Sequence, residues 1–181
     1  GCIRSCSSPL TSPACRPAAN AAGGPAAGAG LSIALACDLR IAAESAFIST
    51  GYVRVGLSGD YGVTWLLSQL VGRGRASELM LLSEKVDAAR CLGMGIFNRV
   101  VPDKDLQAEA FTLARQLAHG PALAQALIKD NLDDSSTLGF EAALDNEAAR
   151  TGRHADAADV RADRICDVRG LGRGKHRRNS R

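Results

Sequence analysis

A glycine-rich turn is the first feature of the sequence that could support catalysis. Gly28, Ala29 and Gly30 come directly before the apolar run LSIALACDL. The first backbone N–H groups of a helix have no partner within the helix, and the helix dipole adds partial positive charge there. A helix that begins at this turn therefore predicts a site for an anion, or for a carbonyl that becomes one. The alternative is that these small residues serve only tight packing.

The second feature is Asp60, which is the single carboxylate in the loop GLSGDYGVTW. One carboxylate can remove a proton from one carbon of a substrate and return it to another. Asp is also favoured in turns and at helix N-termini, so a structural role in the loop is the alternative.

The elements that must position these residues alternate between helix and strand, and helices dominate towards the C-terminus. Apolar periodicity predicts a helix in GLSIALACDL, a strand in AFIST, a helix in GVTWLLSQLVG that ends at Gly72, and another helix in GRASELMLLS. A strand is expected over Ile96–Val101. Asp103 is expected to cap the helix in KDLQAEAFTLARQLAHG, and Pro121 to open the helix in PALAQALIKDNLDD. TLGFEAALDNEAARTG completes the helical part.

Composition indicates a globular protein. The chain has 181 residues, of which 46% are hydrophobic and 4% aromatic, enough to bury a core of Ala, Leu, Val and Ile. No apolar run reaches the roughly 18 residues that a membrane span needs, and the N-terminus has no signal-peptide pattern. We therefore predict a cytoplasmic protein without membrane contact.

The six cysteines form no CxxC pair, and we predict no metal site. The pair Cys2 and Cys6 is a conceivable half-site, but zinc needs a second comparable pair. Free thiols in a reducing compartment are the simpler interpretation.

The two ends of the chain differ from the middle. Residues 1–22 are rich in Ser, Pro and Cys and show no apolar period. Residues 156–181 form a basic tail, with eight Lys and Arg against two Asp from Arg161 onward. We expect both segments to be disordered. The tail has no interleaved aromatic residues to stack on bases, so nucleic-acid binding is not expected. A non-enzymatic protein that binds a polyanion through this tail is one alternative function.

Three segments together carry a family resemblance: PAAGAGLSIALACDLRIAAESAFI, VRVGLSGDYGVTWLLSQLVGRGRASELMLLSEKVDAARCLGMGIFNRVVPDKDL and PALAQALIK. Over about residues 23–150 the chain resembles the crotonase superfamily, the enoyl-CoA hydratase/isomerase family. The resemblance implies an α/β fold in which an incomplete crotonase-type ββα spiral, residues 23–102, is followed by a C-terminal helical oligomerisation region, residues 103–155. It also implies homotrimers or hexamers, acyl-CoA substrates, and no cofactor besides the coenzyme A of the substrate.

The resemblance also implies roles for the residues of the glycine turn. Family members hold the thioester oxygen with two backbone N–H groups and so stabilise an enolate. By motif position, the second donor is the amide of Ala29, and Gly28 and Gly30 beside it belong to the substrate site. The family's first donor lies upstream in an AGxD-like motif, which the sequence does not contain. An inactive or partner-dependent fragment lacking the family's N-terminal portion is therefore a further alternative.

The acidic residues of the family distinguish its reactions. Hydratases use two glutamates, and the matching positions here are Ser32 and Tyr52. A serine hydroxyl needs an adjacent base, and a tyrosine with an ordinary pKa of about 10 is a poor base. Tyr52 could orient a thioester or a water, or its ring could simply pack with its hydroxyl satisfied, and both residues are assigned to substrate binding. Asp60 matches the base of members that shift double bonds or open ring-containing acyl-CoAs, so we predict isomerisation rather than hydration, with Asp60 and Ala29 as the catalytic residues.

Overall fold

The computed structural model of the chain describes residues 19–155. The predictions for Cys2 and Cys6, for residues 1–18 and for the tail over 156–181 lie outside the described residues. The described part divides into two compact units, the first ending at Ala122 and the second beginning at Leu123. Within the described residues, no helix combines the length and the apolar character needed to cross a membrane.

The strands of the first unit form two three-stranded sheets, and the chain passes back and forth between them. One sheet has the order β1-β3-β6 with parallel pairs, and the other has the order β2-β4-β5, in which β2 and β4 are parallel and β4 and β5 antiparallel. The predicted ββα pattern occurs twice, in β1-β2-α1 and in β3-β4-α2. In each case the two strands belong to different sheets and a helix follows them. The strands are β1 Ala19–Ala22, β2 Pro25–Ala27, β3 Leu39–Ala43, β4 Phe47–Ser49, β5 Val86–Asp87 and β6 Arg99–Val101.

Six helices accompany these strands in the described part of the chain. Helix α2 is interrupted at Gly72, whose φ of 75° and ψ of 160° are not helical, and this is the residue at which the sequence predicted the end of one helix. Two short 3-10 turns cover Tyr52–Val55 and Asp103–Asp105. The helices are α1 Gly28–Leu35, α2 Val63–Leu82, α3 Ala88–Gly93, α4 Leu106–Ala118, α5 Ala122–Ser135 and α6 Phe140–Ala155.

The main core surrounds α1. Leu31 and Leu35 of this helix are buried in one cluster with Leu67 of α2 and Ile48 of β4. A helix that is apolar nearly all round is expected to be buried in this way. The core therefore fixes α1, and with it the glycine turn at its N-terminus.

Helix α4 covers the other face of the first sheet. Ile41 and Ala43 of β3 form a second buried cluster with Leu106 and Leu113 of α4. Side chains alternate between the faces of a strand, so Ala42, between them, faces the main core instead. Helix α4 therefore belongs to the first unit, and the second unit begins at Leu123. The helical oligomerisation region expected over residues 103–155 stays a prediction.

Two sequence-based expectations need correction. Strand β1 pairs with β3 from Ala19↔Leu39 to Ala22↔Ala42, so the folded core begins before residue 23. The Asp103 carboxylate makes no side-chain cap on α4. It accepts hydrogen bonds from the hydroxyl of Ser45 and, at 3.2 Å, from its backbone N–H. These donors lower the pKa of the Asp103 carboxyl, and the contact ties the β3–β4 connection to the turn before α4.

The second unit contains a half-buried polar contact between α5 and α6. Arg150 Nη1 lies 2.7 Å from Asp134 Oδ2 and donates to Asn131 Oδ1 at 2.6 Å. Asn146 Nδ2 donates to Asp134 Oδ2 at 2.9 Å. The pKa of the Asp134 carboxyl is lowered, and the hydrogen bond with the Arg150 guanidinium is the main cause. These bonds fix the register of the two helices.

Candidate active site

The N-terminus of α1 presents backbone groups without a capping side chain. Gly28, the first residue of the helix, has a φ of +52°, a conformation that glycine adopts without the penalty of a Cβ. The preceding residue, Ala27, is extended, and its side chain makes no capping hydrogen bond. Ala29 follows in the first turn and is half-buried, while Gly30 is exposed. The first-turn amides are therefore suited to bind an oxygen that carries negative charge.

The loop that carries Asp60 has an unusual backbone. The residues on either side of Asp60 all have positive φ, with 124° at Gly59, 47° at Tyr61 and 75° at Gly62. A Cβ on Gly59 would lie 3.0 Å from Cγ1 of Val63, a residue that is buried at the start of α2. The backbone N–H of Val63 also donates to the carbonyl of Asp60 at 3.1 Å. Asp60 is thus held in an exposed loop of defined shape.

Tyr52, Ser32 and Asp60 meet at one point in the structure. Tyr52 is 5% exposed and its hydroxyl donates to Oδ1 of Asp60. Ser32, in the first two turns of α1, is 1% exposed. Its hydroxyl lies 3.4 Å from the hydroxyl of Tyr52 and 3.3 Å from the carbonyl oxygen of Asp60. Three of the residues predicted for the site are therefore brought together beside the glycine turn.

The electrostatics of this contact make Tyr52 a hydrogen-bond donor. Burial raises the pKa of the Tyr52 hydroxyl above its ordinary value, and its hydrogen bond to Asp60 raises it as well. The hydrogen bond with Ser32 acts in the opposite direction. Tyr52 therefore stays protonated at neutral pH. It cannot act as a base there, and its proton is engaged by the Asp60 carboxylate.

A buried polar network supports the turn that carries Tyr52, and the sequence analysis did not identify it. Thr50 Oγ1 donates to the carbonyl of Leu79 at 2.8 Å and lies 2.8 Å from the hydroxyl of Ser83. Arg54 Nη2 donates to the carbonyl of Ser83 at 2.7 Å. Ser83 directly follows α2 and has a φ of 50°. These partners lie about 30 residues apart in the sequence, so no local pattern indicated them.

A cavity in the described part of the chain lies elsewhere. It has a volume of about 200 Å³ and lies between β1, β3 and α4, where Asn20, Ile41 and Phe111 line it. It contains none of the predicted site residues. Among the described residues, no cluster of His, Cys, Asp and Glu could hold a metal ion.

Comparison with known proteins agrees with this fold. The solved structure of an enoyl-CoA hydratase/isomerase from Cupriavidus metallidurans CH34 superimposes with a TM-score of 0.81 at 31% identity, covering 91% of this chain and 63% of the other. A probable enoyl-CoA hydratase of Rhodobacter capsulatus is 38% identical over 133 residues, which are 74% of this chain and 52% of the relative. The 1,2-epoxyphenylacetyl-CoA isomerase of Escherichia coli K12 is 38% identical over 119 residues, which are 66% and 45% of the two chains.

The sequence profile described as enoyl-CoA hydratase/isomerase matches residues 16–168. The chain therefore belongs to the enoyl-CoA hydratase/isomerase family. The predicted family and the crotonase-type fold are confirmed, and the match extends beyond the predicted range of 23–150 at both ends. The chain spans about half the length of the curated relatives it matches.

Proposed function

We propose that the chain acts on an acyl-CoA thioester and moves a double bond within the acyl group. The observation that carries this proposal is the position of Asp60, whose carboxylate accepts a hydrogen bond from Tyr52 and whose backbone carbonyl lies 3.3 Å from the hydroxyl of Ser32 in α1. The similarity to the 1,2-epoxyphenylacetyl-CoA isomerase of E. coli supports this substrate class. The coenzyme A of the substrate is the one cofactor we propose.

The reaction needs one base and one site for negative charge. Asp60 removes a proton from C2 of a 3-enoyl-CoA, and the electron pair of that C–H bond delocalises onto the thioester oxygen. The amide of Ala29 in the first turn of α1 stabilises the resulting enolate oxygen. The protonated Asp60 then returns the proton to C4, the double bond forms between C2 and C3, and the carboxylate is regenerated.

Hydration makes demands that these side chains do not meet. It requires a base to activate water and a source of the proton for the other carbon. The two positions that hold glutamate in the family's hydratases are Ser32 and Tyr52. The Ser32 hydroxyl is within hydrogen-bonding distance of Tyr52 and Asp60, and the Tyr52 hydroxyl donates to Asp60. Neither residue offers a second carboxylate.

We expect the protein to isomerise a 3-enoyl-CoA faster than it hydrates crotonyl-CoA, because Asp60 suffices for the first reaction only. Both rates are measured at equal enzyme and substrate concentrations, the first by formation of the conjugated 2-enoyl thioester and the second by its loss. Glu44→Gln, which removes an exposed carboxylate from another part of the surface, serves as a control for both. A hydration rate above the isomerisation rate would overturn the preference.

We also propose that the second unit mediates self-association into a homotrimer or hexamer. Ile128 and Leu132 are exposed one turn apart on α5, and Phe140 and Leu144 are exposed one turn apart on α6. Phe140 is 82% exposed. Exposed apolar surface of this kind is typical of protein–protein contacts.

Light scattering of the purified chain is expected to show an oligomer, and Phe140→Glu is expected to shift it towards smaller species. Glu141→Gln, at the neighbouring exposed position, changes charge without removing apolar surface and should leave the size unchanged. A well-folded monomer at all concentrations would refute the proposed assembly.

The basic tail raised the alternative of a polyanion-binding protein. The family match continues to residue 168 and so includes the first part of the basic tail, which gives no support to a polyanion-binding protein. A cytoplasmic location remains a prediction.

A further inference from the structure

The environment of Tyr52 leaves its hydroxyl little freedom to move. Its ring belongs to the main buried core. The 3-10 turn that carries it is flanked by Gly51 and Gly56, with φ of 74° and 71°. The backbone N–H of Leu57 closes the turn on the carbonyl of Tyr52 at 3.0 Å. Arg54 anchors the turn to the end of α2.

The carboxylate of Asp60, which accepts the hydrogen bond from this hydroxyl, lies in a more exposed environment. Asp60 is exposed and lies in a loop between residues of positive φ. An exposed Asp side chain is free to change rotamer. A fixed donor on one of its oxygens restricts that freedom, and the other oxygen stays available to a substrate.

We propose that Tyr52 is a positioning residue for Asp60: its phenolic hydroxyl holds Oδ1 of the carboxylate and leaves Oδ2 to transfer the proton. Ser32 completes the arrangement by bonding to the Tyr52 hydroxyl from α1. The inference rests on the proposed function of Asp60 as the base. It replaces the expected direct role of Tyr52 in binding substrate with a role exerted through Asp60.

The contact can be tested without any activity, because the sequence contains two tyrosines, Tyr52 and Tyr61. Tyr61→Phe leaves Tyr52 as the sole tyrosine, and its ionisation is followed by ultraviolet absorbance of the phenolate as pH rises. In this background, Asp60→Asn is expected to lower the pKa of Tyr52, because it removes a negative charge that favours the protonated phenol. Ser32→Ala is expected to raise it, because it removes a hydrogen bond that favours the phenolate.

The two substitutions are expected to shift the pKa of Tyr52 in opposite directions, and this distinguishes a specific contact from a general loosening of the core. Burial is the largest cause of the raised pKa of Tyr52, so a loosened core would lower that pKa in every variant. Glu44→Gln removes a carboxylate that is not part of this contact and is expected to leave the titration unchanged. If neither Asp60→Asn nor Ser32→Ala moves the titration of Tyr52, or if both lower it, the inference is overturned.

The role in catalysis is tested by Tyr52→Phe, which keeps the ring and removes the hydroxyl. We expect kcat for the 3-enoyl-CoA to fall about tenfold, the effect of losing one hydrogen bond to a charged group, while KM changes little. In the Asp60→Asn background the same substitution should have no further effect.

The outcomes distinguish the inference from the proposed function. If Asp60→Asn abolishes turnover but Tyr52→Phe leaves kcat unchanged, the positioning role is overturned and the proposed function stands. If turnover survives Asp60→Asn, the proposed function fails and the positioning role fails with it, whatever the titration shows about the contact.

Discussion

Asp60→Asn is expected to lower the rate of double-bond migration by about 10²–10⁴-fold, the contribution that a positioned acid–base group typically makes. Asn is nearly the same size as Asp and keeps an oxygen that can accept the hydrogen bond from Tyr52. It cannot take a proton from C2 of the substrate. The measurement is kcat with a 3-enoyl-CoA, followed by absorbance of the conjugated product.

The controls for this variant address folding and charge. The thermal unfolding midpoint should change little, because Asp60 is exposed and does not belong to the buried core. Glu44→Gln removes the same formal charge elsewhere and should keep the parent rate. A loss of less than tenfold in Asp60→Asn, with the fold intact, would show that another group is the base.

The second large effect is expected from adding the N-terminal portion of a full-length relative, either in trans or by fusion. We expect turnover by the 181-residue chain to rise by more than about a hundredfold. The family resemblance implies two oxyanion donors, and the AGxD-like motif of the first is not found in the sequence. Removing one such donor typically costs about 10²–10³-fold in kcat.

The structure gives a second reason to expect this gain. In the described part of the chain, β1 pairs with β3 alone and lies at the edge of its sheet. A cavity of about 200 Å³ lies beside β1, and Phe111, whose side chain is 66% exposed, lines it. Added strands that cover this edge and this apolar surface should also raise solubility.

Asp60→Asn in the complemented protein is expected to remove the gain in turnover while leaving the gain in solubility. This separates catalysis by the assembled site from simple stabilisation. The expectation is wrong if the chain alone already melts cooperatively, turns over an enoyl-CoA at an ordinary enzymatic rate of about 1–10³ s⁻¹, and gains nothing from the added portion.

Some parts of the fold could be predicted because their signals are local. Helix α1 follows from an apolar run directly after glycines, and the break at Gly72 in α2 follows from a glycine within a helical pattern. Strand β1 has the sequence ANAA, which has low intrinsic strand propensity. It is a strand because it pairs with β3, and a single sequence does not reveal that pairing.

The candidate site was predictable in its residues but not in their contacts. Asp60 could be selected as a lone acid among glycines, and Ser32 and Tyr52 could be selected from the family resemblance. Their meeting depends on positive φ at Gly59, Tyr61 and Gly62, which shapes the loop around Asp60.

Long-range contacts explain the remaining differences. Asp103 was expected to cap a helix but bonds to Ser45, 58 residues away. Thr50 and Ser83, which support the turn of Tyr52, are 33 residues apart. Contacts of this kind are set by tertiary packing, for which the local sequence carries no periodic signal.

The central claim is that Asp60 moves a proton on an acyl-CoA whose enolate is stabilised at the start of α1. The most direct test incubates the protein with a 3-enoyl-CoA in D₂O and measures, by mass spectrometry, deuterium in the recovered substrate and product. Because Asp60 is exposed, the proton that it takes from C2 exchanges with D₂O before Asp60 reprotonates the enolate. We therefore predict that deuterium enters the acyl chain at C2 and C4 much faster than in buffer, and that Asp60→Asn reduces this incorporation to the buffer rate. Incorporation that continues undiminished in a folded Asp60→Asn variant, or that never exceeds the buffer rate in the complemented protein, would contradict the account.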